Sequence, residues 1–168
     1  MSKFARVAIG SLALSAAALV GLAVEEGYTD GAVIPTKGDV PTIGFGATEG
    51  VKMGDKTTPV KAIGRLLKDV NKYEGAMKQC VTAPLSQGEY DVYAKFAYNI
   101  GTGGFCGSTT VRRLNQQDYK GACDAILLWK KAANYDCSTL INGKPNQRCY
   151  GLWERRLEAQ ADCLAAGK

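Results

Sequence analysis

The sequence predicts an α+β protein in which a small β lobe and a larger helical lobe have a cleft between them, preceded by an N-terminal apolar helix. Residues 7–24 contain no charged residue. Residues 25–57 are rich in Gly, Thr, Pro and Val and lack a helical repeat of apolar residues, whereas residues 58–168 carry several amphipathic helical patterns. We therefore divide the chain into a leader (1–24) and one globular domain (25–168) made of the two lobes.

The leader combines a positive start with a marginal apolar segment. Lys3 and Arg6 precede residues 7–24, which at about 1.5 Å per residue would reach roughly 27 Å, slightly less than a hydrocarbon core of about 30 Å. Its Ala and Gly content makes membrane insertion only weakly favourable. We favour an uncleaved anchor, because cleavage near Ala23 would trim the chain right up to the adjacent carboxylates. A cleaved signal peptide and a core helix of a cytosolic protein are the alternatives.

Short strands and turns are predicted for residues 25–57, and Thr42–Gly46 alternates as a strand does. At Thr58 the pattern changes, since Thr58 can cap a helix whose first residue is Pro59. The buried stripe predicted for this helix is Ile63, Leu66, Leu67, Val70, Tyr73 and Met77.

The next helix has the clearest start signal. Ser86 and Glu89 form a capping box, and Leu85 and Tyr90 can form a hydrophobic staple. Its predicted buried stripe is Val92, Phe96, Ala97 and Ile100. The helix is predicted to end at the glycines that follow, Gly101, Gly103 and Gly104.

Shorter helices are predicted over 109–116 and 118–132, the second capped by Asp118. The polar segment 142–146 cannot be helical because it contains Asn, Gly and Pro. The predicted buried face of the last helix is Trp153, Leu157, Ala161 and Leu164.

Composition restricts the chemistry. The chain has no histidine, which excludes Ser-His-Asp and Cys-His catalysis and most zinc hydrolase sites. No metal or other cofactor is expected, and proton transfer must use carboxylates. The net charge of +5 indicates either a solvated basic face or attraction to an anionic polymer or membrane. Nucleic acid is not an expected partner, because no basic cluster is interleaved with aromatic residues.

Carboxylate chemistry in a cleft favours cleavage of acetals. Glycoside hydrolysis needs one neutral carboxylic acid to protonate the leaving oxygen and a second carboxylate to activate water or attack. Glu26, at the end of the apolar run, is the predicted acid because desolvation favours its neutral form. Asp39 is a candidate second carboxylate, and the Thr42 hydroxyl could hold a water. An ordinary turn would equally contain Asp39.

Four segments occur in a specific order along the chain: Glu26–Gly27, Thr42–Gly46, Phe96–Gly103 and Gly151–Arg156. This order resembles the phage-type lysozymes, the endolysins of tailed bacteriophages, over nearly all of residues 25–168. With its weakly apolar leader, the chain is similar to the signal-anchor-release endolysins. The resemblance implies a lysozyme-like fold and a muramidase. Such an enzyme cuts the β-1,4 bond between N-acetylmuramic acid and N-acetylglucosamine of peptidoglycan by inversion, using a Glu, an Asp or Cys, and a Thr.

Glu26 and Thr42 match the first and third catalytic positions of that family, and Glu25 is interpreted as a solvated neighbour. The middle position does not match. Counted from Glu26, the family's usual spacing places the second carboxylate at residue 35, which is Pro35 here. Counted back from Thr42, the usual spacing places it at residue 36, which is Thr36.

Asp39 is the only acidic residue between Ile34 and Thr42, and it is the predicted second carboxylate. Asp30 is the reserve. A site that works without a second carboxylate stays open as an alternative.

Asn99, Gly101 and Gly103 are candidate substrate-binding residues, although a helix end beside glycine is equally what these residues would form. Arg155 and Arg156 are interpreted as structural, pairing with acidic groups.

The position of the leader beside the predicted acid suggests a latent enzyme. Glu26 lies within about 3 Å of axial rise of the end of residues 7–24. In this hypothesis the host Sec machinery exports the protein, which stays inactive and tethered in the host inner membrane facing the periplasm. Collapse of the membrane potential then releases it into the periplasm, where it is active on peptidoglycan glycan strands as a monomer.

Six widely spaced cysteines without CxxC spacing, behind an export signal, indicate three disulfides, and the sequence alone leaves many pairings open. The predicted pairs are Cys80 with Cys106, Cys123 with Cys163, and Cys137 with Cys149. Activation by thiol exchange is the less favoured alternative, because no cysteine lies near Glu26 in the sequence.

Two rival functions are retained. A lytic transglycosylase needs only one acid and would dispense with Asp39. An exported peptidoglycan-binding module without activity is the rival from another class. A pore-forming holin is not expected, since a single marginal segment joined to a disulfide-bearing domain would be a poor pore.

Overall fold

The computed structural model describes residues 5–35, 38–132 and 134–168. Most described residues with regular structure are helical, and the strands form three two-stranded sheets. This confirms the predicted α+β class. Lys3, from the positive start of the leader, and Thr36, from the spacing of the catalytic motif, lie outside the described residues.

The chain divides into two compact units. One is Leu14–Gly75, and the other is the described part of Met1–Ala13 together with Ala76–Lys168. Helix α2 (Pro59–Cys80) begins in the first and ends in the second. The lobe boundary predicted after residue 57 rests on composition and stays a prediction.

The apolar helix of the leader begins later than predicted. Helix α1 comprises Ala16–Glu26, whereas the prediction covered residues 7–24. Ser15 explains the late start, because its hydroxyl accepts a hydrogen bond of 3.1 Å from a backbone N–H of the first turn. Ahead of it, Ile9–Ser11 form a short 3-10 helix and Val7 forms an isolated β-bridge. Within the described ranges, no helix combines the length and the apolar character needed to cross a bilayer.

Two strands and the start of α2 complete the unit Leu14–Gly75. Strands β1 (Thr29–Val33) and β2 (Thr42–Gly44) pair antiparallel. Helix α2 begins at Pro59 as predicted, and the Thr58 hydroxyl accepts a hydrogen bond from the first turn at 3.4 Å. The prediction that Leu67 belongs to the buried stripe of α2 is wrong, since Leu67 is 47 % exposed. The buried positions of α2 in this unit recur every four residues and are Ala62, Leu66, Val70 and Glu74.

The second unit is mainly helical. Its helices are α3 (Gln87–Ile100), α4 (Thr102–Cys106), α5 (Thr109–Asn115), α6 (Tyr119–Ala125) and α7 (Tyr150–Ala166), with a 3-10 turn at Ile126–Leu128. Its strands form two hairpins, β3 (Lys131–Ala132) with β4 (Tyr135–Asp136) and β5 (Leu140–Ile141) with β6 (Lys144–Pro145). Fully buried side chains of its core include Leu85, Tyr90, Tyr93, Phe105, Leu114 and Ile126.

The start of α3 confirms the predicted capping box. Ser86 Oγ accepts from the Glu89 N–H at 3.2 Å, and Glu89 Oε2 accepts from the Ser86 N–H at 2.9 Å. Gly101 ends α3 with a φ of 81°. Gly103 and Gly104, predicted as part of the same stop, lie inside α4 instead.

The helix predicted over 118–132 is shorter in the structure. Asp118 caps α6 as predicted, but regular helix ends at Ala125. Neither of the two hairpins that follow the 3-10 turn was predicted from the sequence. The turn between β5 and β6 is Asn142 and Gly143, with φ values of 52° and 74°, and Asn-Gly is a strong hairpin signal.

The buried face of α7 differs from the prediction. Leu157 is 40 % exposed and Ala161 is also exposed, whereas Arg156 and Cys163 are buried. The disulfide from Cys163 to Cys123 turns this other face inward. All three disulfides join the predicted pairs, which are Cys80–Cys106, Cys123–Cys163 and Cys137–Cys149.

Candidate active site

Glu26 is the last residue of α1. It is half-buried, whereas its neighbour Glu25 is exposed. The preceding turn is fixed in the core of its unit by Leu22, which is 2 % exposed, and by Ala23, which is 9 % exposed. Gly27 ends the helix with a φ of 69°, and its N–H donates to the Ala23 carbonyl at 3.2 Å. A rigid helix end therefore presents the Glu26 side chain.

A tight turn follows β2. Ile43 and Ala47 exchange two backbone hydrogen bonds of 2.9 and 3.0 Å. Gly44 and Gly46, inside the turn, have φ values of 65° and 79°, a backbone conformation that favours glycine. The segment Thr42–Gly46, predicted as a strand, is therefore a strand only as far as Gly44.

This turn brings Gly46 against the carboxyl group of Glu26. A Cβ atom on Gly46 would lie 2.9 Å from Glu26 Oε2 and 3.6 Å from its Cδ. Only a residue without a side chain permits this approach, so backbone forms one side of the Glu26 environment. Gly46 was not predicted from the sequence as a site residue. The signal that could have identified it is the Gly-x-Gly spacing directly after a strand.

Asp39 and Thr42 both bind the backbone of Val40. Asp39 Oδ1 accepts from the Val40 N–H at 2.9 Å, and Thr42 Oγ1 donates to the Val40 carbonyl at 3.1 Å. Asp39 is exposed and Thr42 is half-buried. Asp30, the reserve carboxylate, is exposed on β1. The structure thus places Gly46 against the carboxyl group of Glu26, and it holds Asp39 and Thr42 on the N–H and the carbonyl of Val40.

The candidate substrate-binding residues belong to the other unit. Asn99 lies in the last turn of α3 and is exposed, Gly101 ends that helix, and Gly103 lies in α4. The side-chain oxygen of Asn99 accepts a hydrogen bond from Arg156 Nη2. Asn99 is therefore connected to the buried face of α7.

Arg156 is only 4 % exposed. Its Nε donates to the Trp129 carbonyl at 3.1 Å, and its guanidinium carbon lies 5.3 Å from the centre of the Phe96 ring. Burial, with a smaller contribution from the positive charge of Arg155, lowers the pKa of Arg156 to about 10. Arg156 therefore stays protonated at neutral pH. Acidic partners were predicted from the sequence, but the hydrogen-bond acceptors identified for Arg156 in the described part of the chain are an amide and a carbonyl.

Comparison with known proteins identifies the family. The sequence model of the family described as Phage lysozyme matches residues 23–159. The chain belongs to the phage lysozyme family. The endolysin of Salmonella phage P22 is 37 % identical to it over 144 residues, which cover 83 % of this chain and 97 % of the P22 protein. The SAR-endolysin of Pseudomonas phage phiKMV is 36 % identical over 134 residues, 79 % of this chain and 82 % of the relative.

Solved structures agree with this assignment. The endolysin from Escherichia coli O157:H7 phage FAHEc1 matches with a TM-score of 0.75 at 31 % sequence identity, covering 92 % of this chain and 95 % of the other. The predicted lysozyme-like fold and the predicted phage endolysin family, including similarity to the SAR-endolysins, are confirmed. This phage lysozyme is accordingly an endolysin and a hydrolase of the lysozyme family.

Proposed function

We propose that this phage lysozyme is a muramidase that hydrolyses the β-1,4 bond between N-acetylmuramic acid and N-acetylglucosamine, with Glu26 as the general acid. The observation that carries the proposal is the environment of Glu26, which is half-buried at the C-terminal end of α1 and packed against Gly46. The negative end of a helix dipole and partial burial both disfavour an ionised carboxylate. A carboxyl group kept neutral can protonate the leaving oxygen.

Asp39 is the proposed second carboxylate, and Thr42 is the proposed holder of the attacking water. Asp39 is exposed, so water can reach its carboxylate. The Thr42 hydroxyl donates its proton to the Val40 carbonyl, so its oxygen lone pairs can accept a hydrogen bond from water. A water activated on the face of the sugar opposite the acid gives inversion. Asn99, Gly101 and Gly103 are the proposed glycan-binding residues.

The test of the acid is peptidoglycan turnover by Glu26→Gln, with Glu25→Gln as the matched control. Gln keeps the size and hydrogen-bonding capacity of Glu26 but cannot donate the catalytic proton. We expect Glu26→Gln to reduce turnover by about a thousandfold and Glu25→Gln to change it little, because Glu25 is exposed. Thermal unfolding should show that both variants are folded. Full turnover by Glu26→Gln would contradict the proposal.

The rival functions are separated by Asp39→Asn and by the products. If Asp39 is the second carboxylate, Asp39→Asn loses activity, and mass spectrometry of the wild-type digest finds hydrolysed reducing ends. A lytic transglycosylase would instead produce anhydro sugars and would tolerate Asp39→Asn. A non-catalytic binding module would sediment with peptidoglycan and release no fragments.

We further propose that the host Sec machinery exports the enzyme and that residues 7–24 tether it, inactive, in the host inner membrane facing the periplasm. Collapse of the membrane potential then releases it into the periplasm. In support, Glu26 belongs to the same helix as the end of the apolar run. Leu22 and Ala23 are buried in the protein core in this structure, and they cannot face lipid at the same time. Tethering and the folded environment of Glu26 therefore exclude each other.

Changing the hydrophobicity of the leader tests the tether. The triple variant Ala17→Leu, Ala18→Leu and Gly21→Leu should hold the protein in the membrane fraction and delay lysis, because each leucine makes insertion more favourable. Ala17 is exposed, so Ala17→Leu alone separates membrane retention from damage to the core, and Ala17→Ser is its matched control. Lysis at the normal time by the triple variant would contradict tethering.

A further inference from the structure

We propose that Arg156 is a positioning residue that fixes the exposed amide of Asn99 as a hydrogen-bond donor toward the N-acetyl carbonyl groups of the glycan. The inference rests on the proposed function, because Asn99 matters here only if this protein binds peptidoglycan. Arg156 would then belong to the proposed site, and the chemical group recognised there would be the N-acetyl carbonyl of the glycan.

The chemistry of the guanidinium group determines the orientation of Asn99. Arginine has only hydrogen-bond donors, so the atom of Asn99 that faces Arg156 Nη2 must be the carbonyl oxygen Oδ1. The amide nitrogen of Asn99 then points away from Arg156. Asn99 is exposed, so a ligand in solution can reach its side chain. An asparagine without this contact could rotate and offer either its donor or its acceptor.

Stability alone does not explain a buried cation at residue 156. Arg156 is 4 % exposed, and desolvation of a charge is expensive unless the charge is well compensated. An apolar side chain of similar volume often stabilises such a position at least as well. What an apolar residue cannot provide is two directed hydrogen bonds. Nε donates to the Trp129 carbonyl at 3.1 Å while Nη2 donates to Asn99, which uses the planar fork that distinguishes Arg from Lys.

The surroundings of Arg156 are packed by aromatic rings. Phe96 lies under the guanidinium at 5.3 Å, and the Trp129 ring lies nearly perpendicular to Phe96 with a centroid distance of 6.3 Å. Trp129 also packs against α4, since a Cβ atom on Gly104 would lie 2.9 Å from its Cη2 atom. This packing restricts the guanidinium to one orientation. Through its hydrogen bond to Oδ1, the guanidinium then fixes the orientation of the Asn99 amide.

A fixed donor selects an acceptor on the ligand. Every amino sugar of acetylated peptidoglycan carries an amide carbonyl oxygen, whereas an N-deacetylated sugar carries an ammonium group, which has only donors. The ammonium group cannot accept from Asn99, and it adds a positive charge near the Arg156 cation. We therefore expect this site to favour N-acetylated over N-deacetylated glycan.

The sharpest variant is Asn99→Asp, because a carboxylate keeps the contact with Arg156 as an ion pair while it removes the N–H donor. We expect KM for acetylated peptidoglycan to rise about tenfold, kcat to stay within about twofold, and the melting temperature not to fall. Arg156→Met should raise KM by a similar factor. The double variant Arg156→Met with Asn99→Ala should be no worse than Asn99→Ala, because Arg156 acts through Asn99. Arg155→Met is the control for charge, since Arg155 is exposed.

A purely structural role for Arg156 predicts other outcomes. Its removal would then lower the melting temperature and kcat and would add to the effect of Asn99→Ala, and Asn99→Asp would leave KM unchanged. Any of these results would overturn the proposal. Partial rescue of KM by Arg156→Lys would support it.

An NMR measurement keeps this inference distinct from the proposed function. The two side-chain N–H signals of Asn99 should be sharp and resolved in the wild type and should broaden in Arg156→Lys. This readout needs no turnover, so it reports on the Arg156 contact even if Glu26→Gln shows that the proposed acid is wrong. Unchanged Asn99 signals in Arg156→Lys would contradict the positioning role.

Discussion

Arg6 binds the carboxylate of Glu89 through its forked guanidinium, with contacts of 2.7 to 3.1 Å from Nε and Nη2 to the two oxygens. The Glu89 side chain is 1 % exposed, and it also accepts the Ser86 N–H of the capping box. The guanidinium carbon of Arg6 lies 3.6 Å from the centre of the Tyr119 ring. Arg6, which belongs to the positive start of the leader, is thus also the counter-ion of a buried acid.

The Arg6–Glu89 pair should contribute measurably to folding. Arg6→Gln leaves Glu89 buried without a cation, so the free energy of unfolding should fall by about 2 to 3 kcal/mol. Arg6→Lys should lie between this variant and the wild type, because a lysine cannot make the forked contact. Urea unfolding of the purified protein measures both. Lys120→Gln is the control, since its ion pair with Asp124 is largely exposed and should contribute little. Equal stability of Arg6→Gln and Lys120→Gln would contradict this prediction.

Gly46→Ala should affect activity far more than stability. Its φ of 79° strains an alanine by about 1 kcal/mol, and its Cβ would also collide with Glu26 Oε2 at 2.9 Å. Gly50→Ala is a matched control, because Gly50 has a φ of 70° and a Cβ atom there would meet no other group within 4 Å. Both variants should lose similar stability in urea unfolding. Peptidoglycan turnover should fall at least about tenfold only for Gly46→Ala, because the proposed acid must move. Similar turnover by the two variants would show that the position of Glu26 does not depend on Gly46.

Local signals in the sequence predicted the starts of α2 and α3 correctly. The Ser86–Glu89 capping box and Pro59 after Thr58 act within a few residues, and both helices begin as expected. The buried face of α7 was wrong because it depends on the disulfide of Cys163 and on the buried Arg156, which are contacts between distant parts of the chain. Periodicity alone favoured the apolar side chains and could not anticipate a buried arginine.

In the candidate site, too, local signals were predictive and contacts between distant residues were not. The end of the apolar run beside Gly27 pointed to Glu26, and the structure places it at the end of α1. The proximity of Gly46 could not be calculated from the sequence, because it depends on how the turn after β2 folds back toward α1. The role of Asp39 stays a prediction, since the altered spacing of this loop removes the motif that would identify the second carboxylate.

The disulfides should contribute unequally. Cys123–Cys163 spans a sequence separation of 40 and Cys137–Cys149 one of 12. In the loop-entropy model the longer closure restricts the unfolded chain more, by about 1 kcal/mol. Replacing both cysteines of a pair with alanine should therefore lower the free energy of unfolding more for the first pair, by about 3 to 4 kcal/mol. Equal losses would indicate that strain or residual structure in the unfolded state outweighs loop entropy.

Asp136 should make stability depend on pH in the acid range. Lys130 Nζ lies 2.8 Å from its Oδ2, and Ser138 donates its hydroxyl to Oδ1 at 2.6 Å. The Lys130 contact first, and then the Ser138 donors, lower the pKa of Asp136 from 3.8 to about 2. The folded state therefore binds this proton more weakly than the unfolded state does. The resulting stabilisation is complete above the unfolded pKa of about 3.9 and is lost as the pH falls through about 2.

Comparison of the wild type with Asp136→Asn isolates this contribution, because the amide cannot ionise. Their difference in unfolding free energy should be constant above about pH 5 and should shrink as the carboxylate takes up its proton. Ser138→Ala removes the hydroxyl donor and should raise the pKa of Asp136, which moves the loss to higher pH. An NMR titration of the Asp136 carboxyl carbon measures that midpoint directly. A midpoint that is the same in Ser138→Ala as in the wild type would show that the Ser138 hydroxyl does not stabilise the charged form.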